Sequence, residues 1–201
     1  MSKGKLLVLS GPSGVGKGTV LGELMKRRSE MCFSVSATTR APRDGEEHGV
    51  NYFFLSQEQF KELIDAEGLL EYACYVDNYY GTPKAFVEQK LNEGMTVVLD
   101  IEVQGAQNVL KAMPEAISVY LIPPSFEELE RRLRGRGTET ESVIQGRLQR
   151  AVEEAKQADF YQYIVVNDNL EEAVQRLDAI LTASHCSFVD NQNKMKEVFK
   201  L

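Results

Sequence analysis

A glycine-rich turn between an apolar run and an amphipathic helix dictates how the start of the chain can fold. The apolar run covers 5–9, the helical pattern covers 17–28, and the turn reads Gly11-Pro12-Ser13-Gly14-Val15-Gly16-Lys17-Gly18-Thr19. Glycines let backbone N–H groups turn inward on an anion, and the N-terminal end of the helix dipole favours negative charge there. Residues 11–19 are therefore predicted to form a phosphate-binding loop (P-loop) for a nucleotide.

The residue that follows the loop lysine departs from the usual pattern. A Ser or Thr normally stands there to bind magnesium, whereas this chain has Gly18, with the hydroxyl one residue later on Thr19. Direct magnesium binding by the loop is thus in doubt. Asp100 ends an apolar strand pattern, where a carboxylate can reach a magnesium ion or its waters. Thr19 and Asp100 are the candidate metal-binding residues, directly or through water.

Strand and helix patterns alternate along most of the chain. Apolar strands are predicted at 32–36, 96–101, 117–122 and 163–167, and helices at 83–92, 102–113, 125–134, 142–156 and 170–183. Buried strands without polar alternation imply a parallel sheet covered on both faces, so the fold class is a doubly wound α/β core. Capping boxes are predicted at Ser56 with Gln59 and at Ser125 with Glu128.

The pattern divides the chain into four parts. The core comprises 1–35, 83–134 and 157–184, and residues 36–82 form an inserted small mixed β unit around one helix. A segment flanked by Gly135 and Gly137 opens a helical lid at 135–156. The tail at 185–201 has only a weak apolar pattern and is assigned no role.

Composition narrows the class of protein. The chain has 201 residues, 43% apolar and 26% charged, which is ordinary globular usage, and no apolar run approaches the length of a membrane span. We therefore expect a soluble cytoplasmic protein with no membrane partner. The three cysteines are widely spaced and the two histidines are isolated, which indicates neither a disulfide framework nor a zinc site.

The charge distribution favours a small anionic ligand. A formal net charge of −7 argues against nucleic acid as a partner, because a polyanion binder normally carries a basic excess. Arginines are nevertheless clustered at 40–43 and 131–150. Local positive sites on an acidic protein suit a small polyphosphate better than a long one.

Five further motifs make the chain resemble the guanylate kinase family. They are 36–54 (S-x-T-T-R-x-P-R-x-G-E-x-x-G-x-x-Y-x-F), 79–82 (YYGT), 99–105 (LDIEVQG), 135–141 (GRGTETE) and 166–168 (VND). The likeness extends from the P-loop to about residue 183. It implies an enzyme of purine nucleotide metabolism that transfers the γ-phosphoryl group of ATP to GMP with Mg²⁺, on a P-loop core with a GMP-binding insert and a helical lid.

The resemblance also implies roles for individual residues. The phosphate of GMP should be held by Ser36, Arg40, Arg43, Tyr52 and Tyr80, guanine should be read by Glu71 and Thr82, and Asp100 and Glu102 should complete the GMP site. The family has serine at the position of Thr82, and the hydroxyl is kept. The catalytic cations should be Lys17, Arg132, Arg136 and Arg147, and Asn167 should line the adenine of ATP. Arg131, Arg134 and Arg150 are expected to be ordinary surface charges.

Two other functions stay open at the level of sequence. Domains of this type exist that have lost catalysis and bind phosphopeptides, although the intact P-loop and the lid arginines argue against that. Another nucleoside monophosphate kinase is the second alternative, because Gly18-Thr19 after the lysine also resembles adenylate kinases. A monomer or a homodimer is expected.

Overall fold

A computed structural model of the chain describes residues 3–135, 137 and 139–201. The described strands are β1 (Leu6–Ser10), β2 (Met31–Phe33), β3 (Ala37–Thr38), β4 (Phe53–Phe54), β5 (Leu69–Tyr75), β6 (Asn78–Pro83), β7 (Thr96–Asp100), β8 (Ile117–Ile122) and β9 (Tyr163–Val166). The described α-helices are α1 (Lys17–Arg27), α2 (Gln57–Asp65), α3 (Lys84–Asn92), α4 (Val103–Ala112), α5 (Phe126–Arg134), α6 (Glu141–Lys156), α7 (Leu170–Ser184) and α8 (Phe188–Phe199).

The central sheet has the strand order β2-β7-β1-β8-β9, and its neighbouring strands are parallel. Successive side chains of β1 point to opposite faces. Leu7 and Leu9 pack in one buried cluster with residues of α1 and α7, whereas Leu6 and Val8 pack in another with residues of α3 and α4. Both faces are therefore covered by helices, and the predicted doubly wound α/β core is confirmed.

A second sheet has the order β4-β3-β6-β5 and lies within the predicted insert. Its strands mix parallel pairing of β3 with β4 and antiparallel pairing of β3 with β6 and of β5 with β6. Phe60 of α2 is fully buried and stacks on Tyr79 with ring centroids 5.3 Å apart. The strand predicted at 32–36 ends at Phe33, because the chain leaves the central sheet there and enters the insert.

The helices α5 and α6 have a small apolar cluster of their own. It consists of Leu129, Leu133, Ile144, Leu148 and Ala151, and it is separate from the two clusters of the central sheet. The cluster spans the predicted boundary between the core and the lid at 135–156, and the lid stays a prediction.

One of the two predicted capping boxes is complete. Ser56 accepts from the backbone N–H of Gln59, whose side chain accepts in return from the backbone of Ser56. The prediction at Ser125 was half wrong: its hydroxyl accepts from the N–H of Glu128, but the Glu128 carboxylate binds two arginines of the same helix instead of returning to the cap.

The tail forms a helix, α8, which the weak sequence pattern did not predict. Ser187 caps it, and Asp190 forms an ion pair with Lys5 at the start of the chain. None of the helices in the described part of the chain has the length and apolar character needed to cross a bilayer.

Candidate active site

A cleft of about 640 Å³ opens where β1 and β7 end, between the P-loop, the insert and the helices α4 and α6. Ligands of open α/β sheets bind at this edge of the sheet. Among the residues predicted from the sequence, the cleft is lined by Gly11, Ser13, Lys17, Ser36, Tyr52, Glu71, Tyr80, Asp100, Glu102 and Arg147. The predicted donor and acceptor ends of the site therefore face one another across a single space.

The predicted P-loop turns at glycines with positive φ angles. Gly11 has a φ of 153°, and a Cβ there would lie 2.3 Å from the carbonyl oxygen of Leu121, so a side chain would collide with β8. Gly16 caps α1 in the left-handed region, with a φ of 98°. Lys17 Nζ donates to the carbonyl of Gly11 at 2.7 Å and lies 3.8 Å from Asp100 Oδ1. The lysine is thus held at the mouth of the loop.

Two residues with predicted roles in nucleotide contact lie behind the loop. Asn167 is 7% exposed, and its Nδ2 donates to the carbonyl of Val15 at 2.8 Å. Arg132 donates to the same carbonyl at 3.3 Å and to the carbonyl of Asn167 at 3.0 Å. A Cβ on Gly16 would come within 2.7 Å of the Asn167 amide. In this state both side chains shape the loop from outside the cleft instead of lining it.

The lid helix contacts the P-loop through Arg147. Its guanidinium donates to Ser13 Oγ and to Glu139 Oε1. The second carboxylate oxygen of Glu139 is buried and has no hydrogen-bond partner among the described residues. Arg136, predicted to be catalytic, lies outside the described residues.

The end of the cleft predicted to bind guanine contains a partly buried carboxylate paired with a buried hydroxyl. Thr82, only 1% exposed, donates its hydroxyl to Glu71 Oε1 at 2.6 Å. Burial raises the pKa of Glu71, and the hydrogen bond from Thr82 partly offsets this by lowering it. A Cβ on Gly105 of α4 would lie 3.2 Å from Glu71 Oε2, so α4 forms the wall behind the carboxylate.

The residues predicted to hold the phosphate of GMP are only partly assembled. The cleft is lined by Ser36, Tyr52 and Tyr80. Arg40 lies 5.5 Å from the centre of the Tyr52 ring, but Nη2 donates to both carboxylate oxygens of Glu46 at 2.9 Å.

The position of Arg43 explains part of this arrangement. Its backbone N–H donates to Glu46 Oε2 at 2.8 Å, and this hydrogen bond is the largest of the effects that lower the pKa of Glu46. Arg43 itself is exposed and does not line the cleft. Sequence reasoning missed Glu46 as a partner, although its place three residues after Arg43 in a glycine-containing turn was a usable signal.

The candidate metal-binding residues occupy different surroundings. Burial raises the pKa of Asp100, and the nearby Lys17 ammonium lowers it. Thr19 is exposed on α1 and does not line the cleft. Within the described ranges, no group of three or more His, Cys, Asp and Glu side chains could hold a metal ion.

Sequence reasoning also missed part of the cleft wall. Arg150, expected to be an ordinary surface charge, lines the cleft, as do Glu154 and Asn108. The spacing was the available signal: Arg150 lies three residues after Arg147, and Glu154 four residues after that, so all three share one face of α6. Burial raises the pKa of Glu154.

Comparison with known proteins identifies the family of the chain. Residues 3–184 match the guanylate kinase family model. The chain is 51% identical over 199 residues to a guanylate kinase of Shouchella clausii, covering 99% of this chain and 97% of that one. It is 53% identical over 180 residues to a guanylate kinase of Synechococcus sp., covering 90% and 83%.

A solved structure extends the likeness to three dimensions. The crystal structure of guanylate kinase from Anaplasma phagocytophilum matches with a TM-score of 0.72 and 34% sequence identity, covering 98% of this chain and 95% of that one. The fold, the family and the kinase activity predicted from the motifs are confirmed. The chain belongs to the guanylate kinase family.

Proposed function

We propose that the protein transfers the γ-phosphoryl group of ATP to GMP within the single cleft, with guanine at Glu71 and the phosphates of ATP at the P-loop. One observation carries this assignment: Glu71 and the P-loop lysine line the same cleft, and the buried Thr82 hydroxyl holds the Glu71 carboxylate from behind. The two ends supply different chemistry, one for reading a base edge and the other for binding an anion.

Guanine recognition follows from the donors and acceptors of the base. Its N1 and N2 groups donate hydrogen bonds, so a carboxylate is complementary to that edge. The single proton of Thr82 is already used on Glu71, which leaves the carboxylate oriented and Oε2 free for the base. AMP lacks this pair of donors, so binding it would leave Glu71 Oε2 without a hydrogen-bond partner in a partly buried site, which costs about 1–3 kcal/mol or more.

The phosphate of GMP is proposed to bind the hydroxyls of Ser36, Tyr52 and Tyr80. Arg40 lies against Tyr52, and its guanidinium can exchange the Glu46 carboxylate for a phosphate, which arginine can bind through two parallel hydrogen bonds. Arg43 is proposed to join when the exposed loop closes on the ligand. Asp100 and Glu102 complete the wall towards the P-loop.

Phosphoryl transfer then depends on position and charge, because the acceptor is already an anionic phosphate oxygen and needs no general base. Lys17, with the backbone of residues 11–19, is proposed to hold the β- and γ-phosphates. Arg147 already contacts Ser13 in the loop and is placed to neutralise charge on the transferring group. Arg136 is proposed to act with it. Arg132 and Asn167 are proposed to support the loop and the nucleotide from behind.

A magnesium ion fits the donors of this cleft only together with the nucleotides. Mg²⁺ prefers oxygen ligands and usually takes one or two carboxylates with substrate phosphates and waters. Asp100 supplies such a carboxylate in the cleft, whereas Thr19 would contribute only through water or after a movement of the loop. When bound, the ion would supply neutralisation of phosphate charge.

The test is a coupled assay with ATP and each of AMP, GMP, CMP and UMP. We expect turnover with GMP far above that with the other acceptors, loss of turnover in Lys17→Ala with GMP binding retained, and weakened GMP selectivity in Glu71→Ala. No turnover with any acceptor would point to a binding module. Preference for AMP would refute the role of Glu71.

The partners and surroundings predicted from the sequence stay predictions. They are a monomer or homodimer, a cytoplasmic location, no nucleic acid partner and no membrane partner. Light scattering after size-exclusion chromatography, with and without nucleotides, would determine the oligomeric state.

A further inference from the structure

Arg150 connects the two walls of the cleft. It lies on α6, and Nη2 donates to Glu102 Oε2 at 2.6 Å while Nε donates to Glu154 Oε1 at 3.1 Å. Glu102 is the N-cap residue of α4, 48 residues away on the opposite wall. The Arg150–Glu102 ion pair therefore joins the lid helix directly to the helix that backs the guanine end.

Each end of this pair lies close to a different one of the two binding ends proposed above. On the α4 side, Gly105 is three residues after Glu102 and lies against the carboxylate of Glu71. On the α6 side, Arg147 is three residues before Arg150 and contacts Ser13 of the P-loop. Each connection spans three residues of one helix, so the ion pair forms a short path between the P-loop contact of α6 and the α4 wall behind Glu71.

We propose that Arg150 is a positioning residue that, through Glu102, couples occupation of the guanine end to the placement of the lid helix over the P-loop. The proposal rests on the proposed function, because it takes GMP and ATP to bind at the two ends assigned above. Coupling of this kind is reciprocal. If bound GMP raises the affinity of the protein for ATP by some factor, bound ATP must raise its affinity for GMP by the same factor.

The size of the effect follows from the exposure of the pair. The side chains of Arg150 and Glu102 are 60% and 69% exposed, and exposed ion pairs contribute little. We expect a coupling factor that falls about two- to fivefold when the pair is broken, within the range measured for such pairs. Arg150 makes no contact with the P-loop or with Glu71 in this structure, so the effect on either nucleotide alone should be smaller than the effect on their coupling.

The experiment measures coupling by calorimetry on the whole chain. GMP affinity is determined with and without a non-hydrolysable ATP analogue and Mg²⁺, and the ratio of the two affinities is the coupling factor. The variants are Arg150→Gln, Glu102→Gln and the double variant, with Arg150→Lys as the conservative change. If Glu102 contacts GMP directly, the substitution changes both GMP affinities by the same factor, and that factor drops out of their ratio.

The expected pattern is specific. Each Gln variant should lower the coupling factor two- to fivefold, the double variant should be no worse than either, and Arg150→Lys should retain part of it. Arg176→Gln breaks a comparably exposed pair with Glu172 on α7 and should leave the factor unchanged. Thermal unfolding of all variants checks that the fold is intact.

Three results would overturn the inference. The first is that ATP analogue and GMP do not affect each other's binding in the unaltered protein. The second is an unchanged coupling factor in Arg150→Gln. The third is a double variant whose coupling factor falls by the product of the two single-variant reductions. If GMP fails to bind the unaltered protein at all, the proposed function itself is wrong, so the two failures are distinguishable.

Discussion

Replacing Thr82 by Val tests how guanine recognition is built. The change keeps the shape of the side chain and removes the hydroxyl that donates to Glu71 at 2.6 Å. A hydrogen bond to a charged group contributes about 1.5–3 kcal/mol. If the bond orients Glu71 for the base, its loss should raise the KM for GMP about 10- to 150-fold, since 1.4 kcal/mol corresponds to about a factor of ten.

The same substitution has a pH signature of known sign. Burial raises the pKa of Glu71, and the Thr82 hydroxyl lowers it, so Thr82→Val should raise this pKa further. A protonated Glu71 accepts hydrogen bonds from guanine less well, and GMP affinity should therefore fall as the pH falls through that pKa. In the variant the fall should begin at a higher pH.

The assay is the initial rate against GMP concentration across a pH series at saturating ATP. Thr82→Ser is the matched control, because it keeps the hydroxyl and should keep both the KM and the pH profile close to those of the unaltered protein. A Thr82→Val variant with a KM within twofold and an unshifted profile would refute the orienting role of Thr82.

Three further outcomes are expected. Glu71→Gln should raise the free energy of unfolding at pH 8, because it removes a carboxylate whose pKa is raised by burial. This gain should vanish as the pH falls through that pKa, and urea titrations at several pH values would show it. A gain in stability that does not depend on pH would contradict the prediction. Gly18→Ala should stabilise the protein by about 0.5–1 kcal/mol in urea unfolding, because a Cβ in this helix meets no atom within 4 Å; destabilisation would mean that the loop requires glycine here. Asn167→Ala should lower the free energy of unfolding by about 1–3 kcal/mol and raise the KM for ATP, because it removes the hydrogen bond to the carbonyl of Val15. A raised KM with unchanged stability would indicate that Asn167 contacts the nucleotide directly instead of holding the loop.

The sequence predicts the fold well because its strongest signals are local. The P-loop glycines, the apolar strands and the Ser56 cap each depend on neighbours within a few residues, and each is present in the structure. The failures arise where a side chain has a competing partner, even one on the same helix. Glu128 was expected to complete a cap but pairs with Arg131 and Arg132, because an arginine offers a stronger partner than a backbone N–H.

For the site residues, too, some properties could be predicted from the sequence and others could not. Their types and positions in the chain could be read from motifs, but their current partners could not. Nothing local in the sequence shows that Asn167 binds the carbonyl of Val15, 152 residues away, or that Arg150 reaches Glu102 across the cleft. These contacts depend on how the core, the insert and the lid pack against one another.

The cations of the site already have carboxylate partners, and this changes how nucleotide binding must be understood. Lys17 faces Asp100, Arg40 binds Glu46, and Arg147 and Arg150 bind Glu139 and Glu102. A phosphate that enters the cleft therefore exchanges with a carboxylate instead of meeting a free positive charge, and only the difference between the two interactions contributes to affinity. A protein with a formal net charge of −7 can thus bind two polyanions without a basic surface. The exchange also favours ligands that offer several acceptor oxygens in place of the carboxylate, which a phosphate group does and a simple anion such as chloride does not.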